Sequence, residues 1–234
     1  MKNRILSAGA LMVFGLTLGA SCAGRASAEQ RSVGSATVAS AVVALPPPSE
    51  AAKAFQLSYD TEAQGKLPAA LAALDGLPPA QRAGYVAELR RGWLLYRSGR
   101  HAESITSYTK AITAAPASVE ARVGKLAPLL ALRRWVDAEA TARDVLRRDP
   151  GNYTASLRLA FALFNQAKLP ESAATYRALV VAYPSDVDAR AGLGWAELKQ
   201  GHAREASTIF SELLEIAPQN ALAQDGLRAA LAKK

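Results

Sequence analysis

Four prolines, Pro116, Pro150, Pro184 and Pro218, recur every 34 residues, and this interval constrains the fold more than any other feature of the chain. The same step relates Tyr108, Ala142, Tyr176 and Phe210. It also relates Ser104, Ala138, Ser172 and Ala206, and then Gly92, Leu126, Ala160 and Gly194. A period sustained this way does not suit one closed core. It calls for a supersecondary unit stacked on copies of itself, each burying its apolar face against its neighbours. Half of the residues are apolar but only 6% are aromatic, a composition suited to helices in close contact through small and aliphatic side chains.

Local chemistry divides each period into two helices. Ser118, Asn152, Asp186 and Asn220 close the units 85–118, 119–152, 153–186 and 187–220. Each has a side chain that accepts a hydrogen bond from the orphan N–H groups at a helix start, so a new helix begins after each. A mid-unit break falls at Gly99 and Gly201, with Arg133 and Ala167 standing there in the middle units. Glu103, Asp137, Glu171 and Glu205 then place an acid in the first turn of a second helix, where the helix dipole favours it. The periodic proline ends that helix, because the residue before a proline is driven out of the α region. Residues 51–84 form a weaker unit, with Gly65 at the break and Gly76-Leu77-Pro78-Pro79 cutting its second helix short. Residues 221–234 predict a capping helix that covers the last unit with Leu222, Leu227 and Leu231.

The first 28 residues read as a targeting segment: Lys2 and Arg4, an apolar stretch, then Ala26-Ser27-Ala28. This order predicts export with cleavage after Ala28. The apolar stretch approaches the ~20 residues that span a bilayer, so retention as an anchor competes with cleavage. Gly9, Gly15, Gly19 and the small-residue tail favour cleavage. Gly19-Ala20-Ser21-Cys22 is similar to a bacterial lipobox, with Gly where Leu is expected, and makes Cys22 the candidate lipidation residue. One such anchor with its acyl chains suffices for stable membrane attachment. Cys22 is the single cysteine, so no internal disulfide holds the repeats together. Residues 29–50 form a linker ending in Pro46-Pro47-Pro48, which favours extended polyproline II over helix.

The formal charge of +8 includes Lys2, Arg4 and Arg25; without them 25 basic residues face 20 acidic ones. That moderate excess favours acidic partners but forms no clustered stripe, and together with export it argues against nucleic acid. The two histidines, His101 and His202, lie in turns about three repeats apart and read as solvated turn residues. No phosphate-binding glycine loop or metal-ligand spacing is present, so the sequence predicts neither an enzyme nor a cofactor.

The period resembles that of the tetratricopeptide repeat family. Unit 187–220 carries Leu193, Gly194, Gly201, Ala206, Phe210 and Pro218; unit 85–118 carries Gly92, Gly99, Ser104, Tyr108, Ala111 and Pro116; unit 153–186 carries Leu159, Ala160, Tyr176 and Pro184. Unit 119–152 departs from the pattern. Lys125-Leu126 replace Leu-Gly, Ala142 replaces the aromatic, and Pro128 falls inside the first helix, where it removes a hydrogen bond and predicts a bend. The resemblance implies an all-α, right-handed solenoid of antiparallel helix pairs. It also implies a concave groove, lined by the first helices, that binds a segment of a partner protein.

Carried over position by position, the family's groove residues are Phe55 and Tyr59; Arg90, Trp93, Tyr96 and Arg97; Ala127, Leu130 and Ala131; Arg158, Phe161, Phe164 and Asn165; and Trp195, Leu198 and Lys199. Such a groove is aromatic with a fringe of cations, the composition of binding hot spots, and suits acidic or carboxyl-terminated ligands. Each aromatic taken alone is as readily explained as packing between helices. The Lys-Asn-Asn-Lys-Arg set with which chaperone-binding members clamp a terminal carboxylate is absent. The expectation is therefore an exported adaptor of a bacterial envelope assembly, export or polysaccharide-secretion apparatus. A periplasmic holdase for many clients and an accessory subunit of an envelope enzyme are the alternatives.

Overall fold

The computed structural model describes residues 48–233. The predicted signal segment, Cys22 and most of the linker lie outside the described residues. Within them are twelve α-helices, one 3-10 turn and no strand. None of these helices is long and apolar enough to cross a membrane.

The first pair is α1 (Glu50–Ala63) and α2 (Leu67–Ala73). A 3-10 turn, Leu74–Gly76, and a single turn, α3 (Pro79–Arg82), follow where the Pro78-Pro79 step interrupts the helix. Then come α4 (Tyr85–Arg97) with α5 (His101–Ala114), α6 (Glu120–Ala131) with α7 (Trp135–Arg148), α8 (Tyr153–Asn165) with α9 (Leu169–Ala182), α10 (Val187–Lys199) with α11 (Ala203–Ile216), and α12 (Ala221–Leu231). Asn152 and Asn220 accept from the backbone N–H three residues on at 2.9 and 2.8 Å, and Asp186 accepts from Asp188 and Ala189 at 3.0 Å. Ser118 accepts from Ala121 at 3.2 Å. These are the orphan donors of a helix start, satisfied locally.

Each pair closes through the same backbone conformation. Gly65, Gly99, Arg133, Ala167 and Gly201, one per repeat, all have positive φ, between 55° and 92°. From α4 to α12 each helix packs on its neighbours in sequence, and the first helices α4, α6, α8, α10 and α12 also touch in succession, forming one layer. The chain is thus an all-α solenoid.

A ring-and-glycine contact sets the spacing between units. Tyr108 on α5 lies between Gly92 of its own unit and Gly124 of the next; Phe210 on α11 lies between Gly194 and Gly226 in the same way. A Cβ on Gly124 or Gly226 would stand 2.5 or 2.3 Å from the ring, closer than carbon atoms approach. Unit 119–152 inverts this arrangement. Ala142 stands where the ring would be, and Leu126 fills the place of the first glycine, both fully buried in one cluster. These two departures from the repeat pattern therefore compensate one another in volume, as close packing requires. Pro128 is buried within α6, which continues through it to Ala131.

The capping helix differs from expectation in its buried face. Ala223, Gly226 and Ala230 turn inward with Leu227 partly covered, while Leu222 and Leu231 are exposed. Gly226 must face Phe210 because no side chain fits there, and this rotates the two leucines outward.

Candidate functional site

The layer of first helices lines an open cavity of about 470 Å³, formed mainly by α4, α6 and α8, with Tyr59 of α1 at one side. Val86, Leu89, Trp93, Val123 and Ala127 supply apolar wall, Tyr96 and Tyr108 aromatic wall, and Arg90 and Arg158 the two cations. Glu120 is the carboxylate among the lining residues; it accepts a hydrogen bond from the Tyr85 hydroxyl at 2.9 Å.

Of the residues expected to form the groove, the fold brings Arg90, Trp93, Tyr96 and Arg158 to this cavity, with Tyr59 and Ala127. Arg90 is already engaged. It is 7% exposed, and its guanidinium donates to Glu62 Oε2 at 2.5 Å, to the Ser58 hydroxyl at 3.2 Å and to the Ser58 carbonyl at 3.0 Å. The Tyr59 ring covers it at 3.9 Å. Glu62 also accepts from Trp93 Nε1 at 2.7 Å and from Arg97 at 3.3 Å. Trp93 remains 41% exposed. Three groove candidates are therefore anchored by one acid of the weak N-terminal unit, which the sequence reading did not single out. Its signal was available, since Glu62 sits in the last turn of α1 next to the first helix of the following repeat.

The other candidates lie elsewhere. Phe161 is 44% exposed, edge-on to Trp135 with centroids 5.8 Å apart, and Asn165 donates to the Phe161 carbonyl at 2.8 Å. Phe164 is packed against the core cluster of units 153–186 and 187–220. Trp195 meets Phe210 edge-on at 5.6 Å within the last core cluster. Lys199 is exposed near the end of α10.

Arg158 and Arg90 occupy the same repeat position, two periods apart. This position holds Gly124, Gly192 and Gly226 in the units that follow an aromatic ring, because the ring needs the space. Arginine stands there only after Leu74 or Ala142, where no ring intrudes. The partners differ sharply. Two periods after Ser58, Tyr59 and Glu62, which hold Arg90, come Leu126, Ala127 and Leu130. Arg158 donates one hydrogen bond, to the Val123 carbonyl at 2.9 Å. Among the described residues no carboxylate lies within ion-pair distance of it. Burial pushes its pKa down, though a guanidinium stays protonated at physiological pH.

A second polar cluster lies in the last unit. Ligand atoms of Glu197, His202 and Glu205 come within 4.8 Å of one another. The Arg177 guanidinium bridges the two carboxylates at 2.6 and 3.1 Å, and His202 Nδ1 meets Glu197 at 2.6 Å. Arg177 thus already supplies the cation there. His101 opens α5 with its ring 5.5 Å from that of Tyr96.

The Tetratricopeptide repeat sequence profile matches residues 55–119, 89–153, 128–186 and 157–221. The chain belongs to the tetratricopeptide repeat family, whose members are protein–protein interaction modules. No curated protein matches the chain in sequence. Among solved structures, residues 41 to the end of MamA from Desulfovibrio magneticus RS-1 superpose with a TM-score of 0.70 at 18% identity, covering 74% of this chain and 98% of that one. A tetratricopeptide repeat protein from Parabacteroides merdae ATCC 43184 gives 0.71 at 19% identity, over 77% of this chain and 72% of that one. YrrB, described as a TPR protein with an unusual peptide-binding site, gives 0.67 at 17%, over 76% and 92%.

Proposed function

We propose that this protein is a non-catalytic adaptor of the bacterial cell envelope that holds a segment of a partner protein in the groove of its first helices. The cavity between α4, α6 and α8 is the observation that carries the proposal. It is concave, walled by apolar and aromatic side chains, and bounded by a half-exposed Trp93 already oriented by Glu62. Preformed pockets with aromatic and arginine anchors are where binding energy concentrates. The peptide-binding site named for YrrB lends support through a shared fold. The envelope assignment is drawn from residues 1–28, whose basic start, apolar stretch and small-residue end suit export. Assembly, export and polysaccharide-secretion systems are the settings in which such an adaptor serves.

The test is mild crosslinking of the tagged full chain in its native cell, read by mass spectrometry, for the wild type and Trp93→Ala. One stoichiometric envelope partner, lost in the variant, is the expected result. A spread of substoichiometric clients would replace the adaptor by a holdase. A partner confined to the cytoplasm would overturn the envelope assignment.

A further inference from the structure

We propose that Arg158 is a receptor for a carboxylate, and that the segment held in the groove presents an Asp or Glu side chain to it. The assignment rests on the groove function proposed above and adds the chemistry of the ligand. Arg90 serves as an internal control for what the repeat does with a guanidinium at this position. There the fold surrounds it with a carboxylate, a hydroxyl, a carbonyl and an aromatic face. At Arg158 the register supplies Leu126, Ala127 and Leu130 in those places, and one carbonyl takes one N–H.

A partly buried guanidinium has five donors in a planar fork, matched to a carboxylate, and desolvation makes an unpaired one costly. Burial also strengthens the interaction with an incoming anion, because solvent screens it less. The side chain lines the same cavity as Trp93, Val123 and Ala127, so the acid of the ligand sits beside an apolar neighbour. Glu120 lines the cavity too, and is held by Tyr85 rather than by Arg158. Its negative charge opposes the ligand's and limits affinity.

The experiment is a selection from a phage-displayed library of linear peptides, fused so that no free C-terminus is presented, against the full-length chain. Selected peptides are then resynthesised with blocked ends. The expected outcome is an Asp or Glu fixed at one place beside an apolar residue. Changing that acid to its amide, or Arg158→Met in the protein, should each weaken binding at least about tenfold and not further in combination. Arg158→Lys should fall between wild type and Met, because it keeps the charge without the fork. Glu120→Gln should tighten binding of the acidic peptide and leave its amide twin unchanged. Unchanged helical circular dichroism establishes that Arg158→Met is folded.

Peptides that need Trp93 but show no acid preference would overturn the carboxylate assignment and leave the groove function standing. Peptides whose affinity ignores both Trp93→Ala and Arg158→Met would overturn both. Enrichment only from a second library displaying free C-termini, with no side-chain acid selected, would overturn the side-chain source.

Discussion

Glu62 and Arg90 meet at 2.5 Å across 28 residues of chain, joining the last turn of α1 to the middle of α4. Both side chains are largely buried, at 15% and 7% exposure. Removing the acid alone leaves a buried guanidinium with only Ser58 and the Tyr59 ring beside it, and no charge to balance it. Glu62→Gln should therefore destabilise the N-terminal pair by roughly 3 kcal/mol, the cost of breaking rather than replacing a buried ion pair. Stability in a solenoid is a sum over neighbours. Amide exchange should accordingly accelerate in residues 50–63 while α8 to α11 keep their protection. Uniform acceleration along the chain would show that the pair holds more than its own interface.

The volume exchange around Ala142 gives a second prediction. A ring at 142 finds Leu126 and Arg158 where Tyr108 finds Gly92 and Gly124. Ala142→Phe alone overfills a closed site and should cost about 1–3 kcal/mol. Adding Leu126→Gly and Arg158→Gly restores the ring-and-glycine contact and should recover most of that loss, a strongly non-additive result. Urea denaturation of the single, double and triple variants measures it. Additive losses would show that the three positions do not share one space.

The features legible in the sequence are those each residue settles within its own unit. A proline stops its own helix, Asn152 or Asp186 caps the next one, and glycine marks the turn; each acts over a few residues, so the 34-residue period exposes them. Groove geometry depends on contacts between units, and there the reading thins. Arg90 and Arg158 look alike in sequence, yet one is neutralised and the other is not, because the deciding residues lie in the preceding unit. Leu222 and Leu231 look like a cap's apolar face, but the tight approach of Phe210 to Gly226 fixes the rotation of α12 instead. Unit 119–152 reads as divergent position by position, and as conforming once the volumes of Leu126 and Ala142 are taken together.

The helix-pair turns supply a third test. Arg133 and Ala167 adopt φ of 55° and 59°, in the left-handed region that Gly65, Gly99 and Gly201 occupy in the other units. A side chain there crowds its own backbone at a cost of roughly 1 kcal/mol. Ala167→Gly should raise stability by up to that amount, less the added entropy of the unfolded chain. Gly201→Ala should lower it comparably, and the shift of the urea midpoint at constant slope reads both. A loss of stability in Ala167→Gly would mean that its methyl contacts outweigh the strain.

Acid stability should depend on Glu139. Burial raises the pKa of this α7 carboxyl, but hydrogen bonds from Lys168, Gln166 and Arg143 together outweigh burial and bring it from 4.5 down to about 2. Lys168 donates at 2.8 Å, Gln166 at 2.8 Å and Arg143 at 3.0 Å, so the acid ties α7 to the turn between α8 and α9. A carboxyl more acidic in the folded state than in the unfolded chain contributes stability that is complete above the unfolded pKa. That stability fades as pH falls toward the folded pKa. The contribution should therefore be present at neutral pH and be lost between about pH 4.5 and 2. Glu139→Gln should be less stable at pH 7, and the difference from wild type should shrink through this window. Denaturation midpoints of both proteins across that range measure it. A gap that stays constant down to pH 2 would assign the acid limb to other carboxylates.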